Sequence, residues 1–250
     1  MTHPRVDQDP PGPAQRFIVA QSWWIASELV RRHPELVIHE MHPGGGHYDV
    51  LAIFAPPYAD ARAIVMLNRA GTLQVHVRDE SGGTPDLRVV GTWADVLSAS
   101  NPHGFVKVIE SAAGLPIVPK APPSTPRTLA YRFIATLLTM TVNDRNTWDA
   151  RNEFIDSSGD GWPGEAELRG HLDSFPDTRR DFSSITALGL WHEPESHFWA
   201  VMKDQIPVAI VSLEGHVYRS DRRYSLTEEY TAMGRRMFPV VASILNGLQP

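Results

Sequence analysis

The chain contains no cysteine. That excludes disulfides, thiolate nucleophiles and cysteine-based zinc sites. No apolar run approaches the roughly 20 residues that a membrane-spanning helix needs. There is no basic excess either: the net charge is −6 over 250 residues. Nucleic-acid binders usually carry a basic face, so no nucleic-acid partner and no membrane partner is expected. The GxSxG elbow, the Walker A loop and the dinucleotide fingerprint are all missing. The first 14 residues, MTHPRVDQDPPGPA, are proline-rich and lack the apolar segment of a signal peptide. They read as a disordered tail, and a cytoplasmic location is the expectation.

What is present suits a globular protein with a real core, at 42% hydrophobic and 21% charged residues. The clearest seam is Leu115–Arg127, LPIVPKAPPSTPR, which carries five prolines. Proline at that density opposes helix and favours an extended connector. The sequence thus divides into residues 15–116, a linker at 117–126, and residues 127–250.

In the first half, Val19, Trp23, Ala26 and Val30 recur on one helical face, with Ile18, Ile25 and Leu29 beside them. This predicts a helix over 16–33, stopped by Pro34. Glu28, Arg31 and Arg32 fall on the remaining face. Strands follow at 36–42 and 48–55, joined by Gly44-Gly45-Gly46, and then at 63–69 and 72–78. Thr92 and Asp95 resemble a capping box for a short helix. Asn101-Pro102 starts another, which ends at Gly114 with Pro116 beyond it.

The second half opens with Thr125-Pro126, an N-cap followed by proline at the first helical position. Leu129, Phe133, Leu137 and Met140 mark the inner face of a helix running toward Asn143. An irregular polar region comes next. Strands are predicted at 197–203, 207–214 and 216–221, and a long helical stretch over 227–246, kinked at Pro239. Both halves therefore read helix, antiparallel strands, helix. The expected architecture is α+β: two tandem domains, each an antiparallel sheet with helices packed on it.

Chemistry is sparse. Asp156, Ser158, Asp160, Gly161 and Glu167 match positions 1, 3, 5, 6 and 12 of a Ca²⁺-binding EF-hand loop. Pro163 occupies the position of the short pairing strand, and there is no second loop. A polar turn between elements accounts for the same residues. His39, His42, His47 and Asp49 could suit zinc or iron, but His39 and His42 point to opposite faces of one strand. Glu28 and Asp49 could begin a nuclease site, yet the following MLNR (Met66–Arg69) lacks the carboxylate and lysine such a site needs. No catalytic residue and no cofactor are expected, Ca²⁺ aside. Aromatics are plentiful. Trp23 faces inward, and Trp24 lies nearer the edge of the same helix, where it can be core mass or a binding anchor.

The strings SWWIASELVRRHPEL, GGGHYDVLAIF, IVMLNRAGTLQVHV and TPRTLAYRFIATLL resemble the actinobacterial TY-Chap type. These are proteins related to type III secretion chaperones and YbjN-like peptide-binding chaperones. The resemblance covers roughly residues 16–250. It implies an α+β fold, no enzymatic activity, and binding of a peptide or protein client. Trp24, Gly44, Gly45, Gly46 and Tyr48 are the expected client surface.

Overall fold

A computed structural model describes residues 13–41, 47–55, 61–68, 72–77, 86–92, 103–141, 148–152, 198–203, 206–219 and 222–245. The chain opens with helix α1, Pro13–Arg32. Pro13 stands at the first helical position, where its missing N–H costs nothing. Arg31 and Arg32 sit in the last turn, opposite the negative end of the helix dipole. The His33 amide still bonds to Leu29 O at 2.8 Å, and Pro34 then ends the run.

Five strands follow: β1 Val37–Met41, β2 His47–Phe54, β3 Ala61–Asn68, β4 Thr72–Val77 and β5 Asp86–Thr92. They form an antiparallel meander in chain order. The register shifts at three places, with an extra residue at Tyr48 on β2, Arg62 on β3 and Val90 on β5. Helix α2, His103–Ala112, closes this half. Its end is a Schellman motif: Leu115 N bonds to Glu110 O at 2.8 Å, Gly114 N bonds to Ser111 O at 3.3 Å, and Gly114 takes φ 64°.

The second half repeats this plan. Helix α3, Pro126–Thr141, is capped by Thr125, whose Oγ1 accepts from Thr128 N at 3.1 Å. Strands β6 Trp148–Asn152, β7 Phe198–Lys203, β8 Ile206–Ser212, β9 His216–Tyr218 and β10 Arg223–Ser225 form a second five-stranded antiparallel meander. Helices α4, Leu226–Ala232, and α5, Met237–Leu245, end the described chain. Ser225 caps α4 and accepts from Glu228 N.

Several elements differ from the sequence reading. Strand β5 runs into Thr92, which therefore ends a strand. Strands β5, β6 and β10 have no counterpart in the sequence reading. The last helical stretch is two helices. A second Schellman turn, with Gly234 at φ 63° and Arg235 at φ 60°, breaks it ahead of the proline. Pro239 falls in the first turn of α5, where no helical hydrogen bond is lost, so it causes no kink.

The sequence divides at the prolines, but the core does not. Buried side chains from both halves form one contiguous cluster. Helix α1 packs on β1, β2 and α2. Helix α3 packs on β6, β8, α4 and α5. The two helices then pack on each other, antiparallel: Trp24 meets Thr139, Glu28 meets Arg132, and Pro34 meets Arg127. Covered from several sides, α1 buries its polar residues too. Ser27, Glu28 and Arg32 are all buried, although the periodicity places Glu28 and Arg32 on the polar face.

Candidate functional site at the junction of the two halves

Three rings from three elements meet where α1 crosses α3. Trp23 of α1, Tyr131 of α3 and Trp199 of β7 are fully buried. The centroid of Trp23 lies 5.9 Å from that of Tyr131 and 5.7 Å from that of Trp199, and Tyr131 and Trp199 are 4.8 Å apart. Both contacts of Trp199 are edge-to-face, the arrangement ring quadrupoles favour. The Trp199 Nε1 and Thr136 Oγ1 atoms are buried and have no hydrogen-bond partner among the described residues.

Tyr131 also works through its hydroxyl. Ile38 N donates to it at 2.8 Å, and it donates to Ile38 O at 2.9 Å. Ile38 lies on edge strand β1, and these two groups point away from β2. One side chain thus replaces both bonds that a further strand would make. Arg127, one turn earlier on α3, extends the closure by donating to Pro34 O at 2.9 Å and Leu36 O at 3.4 Å. Burial pushes the Tyr131 phenol well above its usual range, against the smaller opposing effects of the Ile38 hydrogen bond and Arg127. The protonated form, which alone can both donate and accept, is therefore held.

A charged cluster fixes the other end of α1. Glu110 of α2 is fully buried. Arg32 grips it with two nitrogens, the Nη2–Oε2 bond measuring 2.9 Å, and His33 Nε2 lies 2.9 Å from Oε1. Arg32 Nη2 also donates to Val118 O at 2.6 Å. The hydrogen bond to Glu110 raises the Arg32 pKa, against the desolvation that lowers it. Nearer the surface, Arg31 pairs with Glu28, and Arg132 reaches Glu28 at 3.8 Å and Ser124 Oγ at 3.1 Å.

Of the client-surface residues expected from sequence, Trp24 is half-buried, and its indole N–H donates to Thr139 Oγ1 at 3.2 Å in a solvent-exposed contact. Tyr48 lies in β2. Gly44, Gly45 and Gly46 fall outside the described residues, as do Asp156, Ser158, Asp160 and Glu167. Of the histidine group, His39 is on β1, and His47 and Asp49 are on β2, paired with Asn68 and Leu67 of β3. His42 is outside the described residues. Among the described residues no three His, Asp or Glu side chains gather as a metal site would require. No described helix is long and apolar enough to cross a membrane.

Sequence reasoning missed Tyr131, Glu110 and His33. Glu110 had a signal. It shares the buried stripe of Val106, Ile109 and Ala113, and a carboxylate on such a stripe demands a buried cation. Tyr131 had little, since an aromatic next to an apolar helix face reads as ordinary core.

The junction is thus built of packing, an edge closure and ion pairs, and among the described residues it shows no nucleophile, base and orienting group in hydrogen-bonded series. No curated protein and no solved structure matches the chain significantly. A family model does match, over residues 20–250, and by that match the chain belongs to TY-Chap2, the T3SS (YopN, CesT) and YbjN peptide-binding chaperone 2 family.

Proposed function

We propose that the protein is a non-enzymatic, cytoplasmic chaperone-like module that binds an extended segment of a peptide or protein client. The observation that carries this reading is the family match across residues 20–250. The fold supports it: two five-stranded antiparallel sheets lie on either side of the proline segment in sequence. Such sheets take up extended segments through main-chain hydrogen bonds along an edge and side-chain pockets beside it. Tyr131 closes β1 at Ile38, so a pairing edge belongs elsewhere. Trp24, with its exposed contact to Thr139, and Tyr48 with Gly44–Gly46 make up the anchoring surface in this reading.

The test is affinity purification on the full chain, with Trp24→Phe and Trp24→Ala beside the wild type. One specific client should be enriched reproducibly. Trp24→Phe, which keeps most of the packing against the core, should retain it in part, and Trp24→Ala should lose it at a temperature where circular dichroism shows both variants folded. A client captured equally well by wild type and Trp24→Ala removes Trp24 as the anchor. Capture of nothing above a scrambled-sequence control removes the reading.

A further inference from the structure

The proline segment between the halves is held as a strap. Along one ridge its exposure repeats every three residues, the period of a polyproline II helix. Val118, Ala121 and Ser124 are half-buried. Ile117, Lys120 and Pro123 are exposed, as are Pro116 and Pro119. The chain bends at Pro119–Lys120; beyond the bend the exposed ridge continues at Pro123, while Pro122 and Thr125 are half-buried. The half-buried ridge is also the tethered one. Arg32 of α1 holds Val118 O, and Arg132 of α3 holds Ser124 Oγ. The opposite ridge carries Ile117, 62% exposed, between the exposed rings of Pro116 and Pro119.

A spacer needs stiffness and length. It does not need the Pro-x-x-Pro-Lys spacing that Pro116, Pro119 and Lys120 present on its exposed side. We propose that Pro116–Pro123 is a docking strip for a second protein, separate from the client surface. The partner is a polyproline-reading module whose groove has aromatic walls for Pro116 and Pro119, a shallow apolar slot for Ile117, and a carboxylate facing Lys120. The aromatic walls follow from proline's rigid, flat-sided ring, and the carboxylate from charge complementarity. Because the strap is already ordered by tethers from both halves, docking costs little conformational entropy.

The experiment titrates the full chain into a panel of isotope-labelled SH3 and WW domains and follows their groove resonances. At least one domain should bind in the micromolar range. Pro119→Ala and Lys120→Glu should each weaken that binding about tenfold. Ser124→Ala leaves the motif intact but removes a tether, and should weaken it about threefold. All three positions lie at the surface or half-buried, so melting temperature and circular dichroism should match the wild type. A synthetic peptide of residues 113–125 should bind more weakly than the intact protein. The proposal is overturned if no domain of either type responds to the wild-type chain at millimolar concentration. It is also overturned if a response survives Pro119→Ala unchanged, since that binding would not read the strap.

Discussion

The two halves of the chain build the same sheet and secure it by different means. Both run helix, five-strand antiparallel meander, helix, and their leading helices even share an Arg-Phe-Ile triplet, at Arg16–Ile18 and Arg132–Ile134. The N-terminal half locks its two helices together with buried charge: Arg32, His33 and Glu110 are all within it. The C-terminal half buries no such cluster among its described residues. It relies on backbone geometry, with the close approach of the Gly215 turn to the start of α3; left-handed glycines end helices in both halves, at Gly114 and Gly234. The same topology tolerates either solution because the sheet itself needs only that its helices cover one face. Each solution fails in its own way. Charge fails by leaving a partner unpaired, and geometry fails by adding an atom.

The largest effect should come from the charged half. Glu110→Ala leaves Arg32 and His33 buried without the carboxylate that pairs them. Removing one member of a buried pair costs about 3–5 kcal/mol. Urea denaturation followed by tryptophan emission should show that loss. Replacing the pair by apolar residues, Arg32→Met with Glu110→Leu, should cost far less, because no orphan charge remains. If the single and double variants are equally unstable, the cluster acts through shape and not through charge, and the contrast between the halves weakens.

Next comes the bond that ties the halves. Tyr131→Phe keeps the ring stack with Trp23 and Trp199 but leaves Ile38 N–H and C=O without partners. Two buried backbone groups without partners should cost about 2–3 kcal/mol. The Ile38 amide should also exchange with solvent much faster than in the wild type. The pH dependence has a definite sign. Burial raises the Tyr131 pKa in the folded state, so its stabilising contribution is full below the unfolded tyrosine value of about 10 and is lost as pH rises above that. Tyr131→Phe should remove this part of the alkaline instability. An unchanged slope above pH 10 would show that the hydroxyl is not the group responsible.

How much of this could be read in advance follows from what each residue signals locally. Strands β1 to β4 show alternation or apolar runs, and the α1, α2 and α3 boundaries carry Pro34, Gly114 and Thr125-Pro126, so these were legible. Strand β6, Trp-Asp-Ala-Arg-Asn, is a polar edge strand with nothing to alternate. Strand β5 carries Gly91 and two charges in seven residues and reads as loop. Strand β10 is only three residues long. The break at Gly234 was overlooked because Pro239 offered a stronger breaker nearby, although a proline in a first turn breaks nothing. At the junction, Trp23 inward and Trp24 at the edge follow from helix geometry alone. Burial of Glu28 and Arg32 does not, because it is imposed by α2 and α3, far away in sequence. Pairings such as Tyr131 with Ile38 are tertiary facts with no periodic trace.

The smallest effects divide the geometric half against itself. Gly215 takes φ 80°, and a Cβ there would lie 2.8 Å from Pro126 Cβ and 2.9 Å from Pro126 O. Gly234 takes φ 63°, and a Cβ there would meet nothing within 4 Å. Both positions charge an L-residue for a left-handed backbone, about 1 kcal/mol each. Only Gly215 adds a collision with backbone that cannot rotate away. Gly215→Ala should therefore cost about 2–3 kcal/mol and displace the start of α3. Gly234→Ala should cost about 1 kcal/mol, and Gly234→Asn less, since asparagine tolerates that conformation. Chemical denaturation of the three variants under one set of conditions measures the difference directly. If Gly215→Ala and Gly234→Ala prove equal, the β8–β9 turn yields to Pro126, and the close approach that distinguishes the C-terminal half does not constrain it.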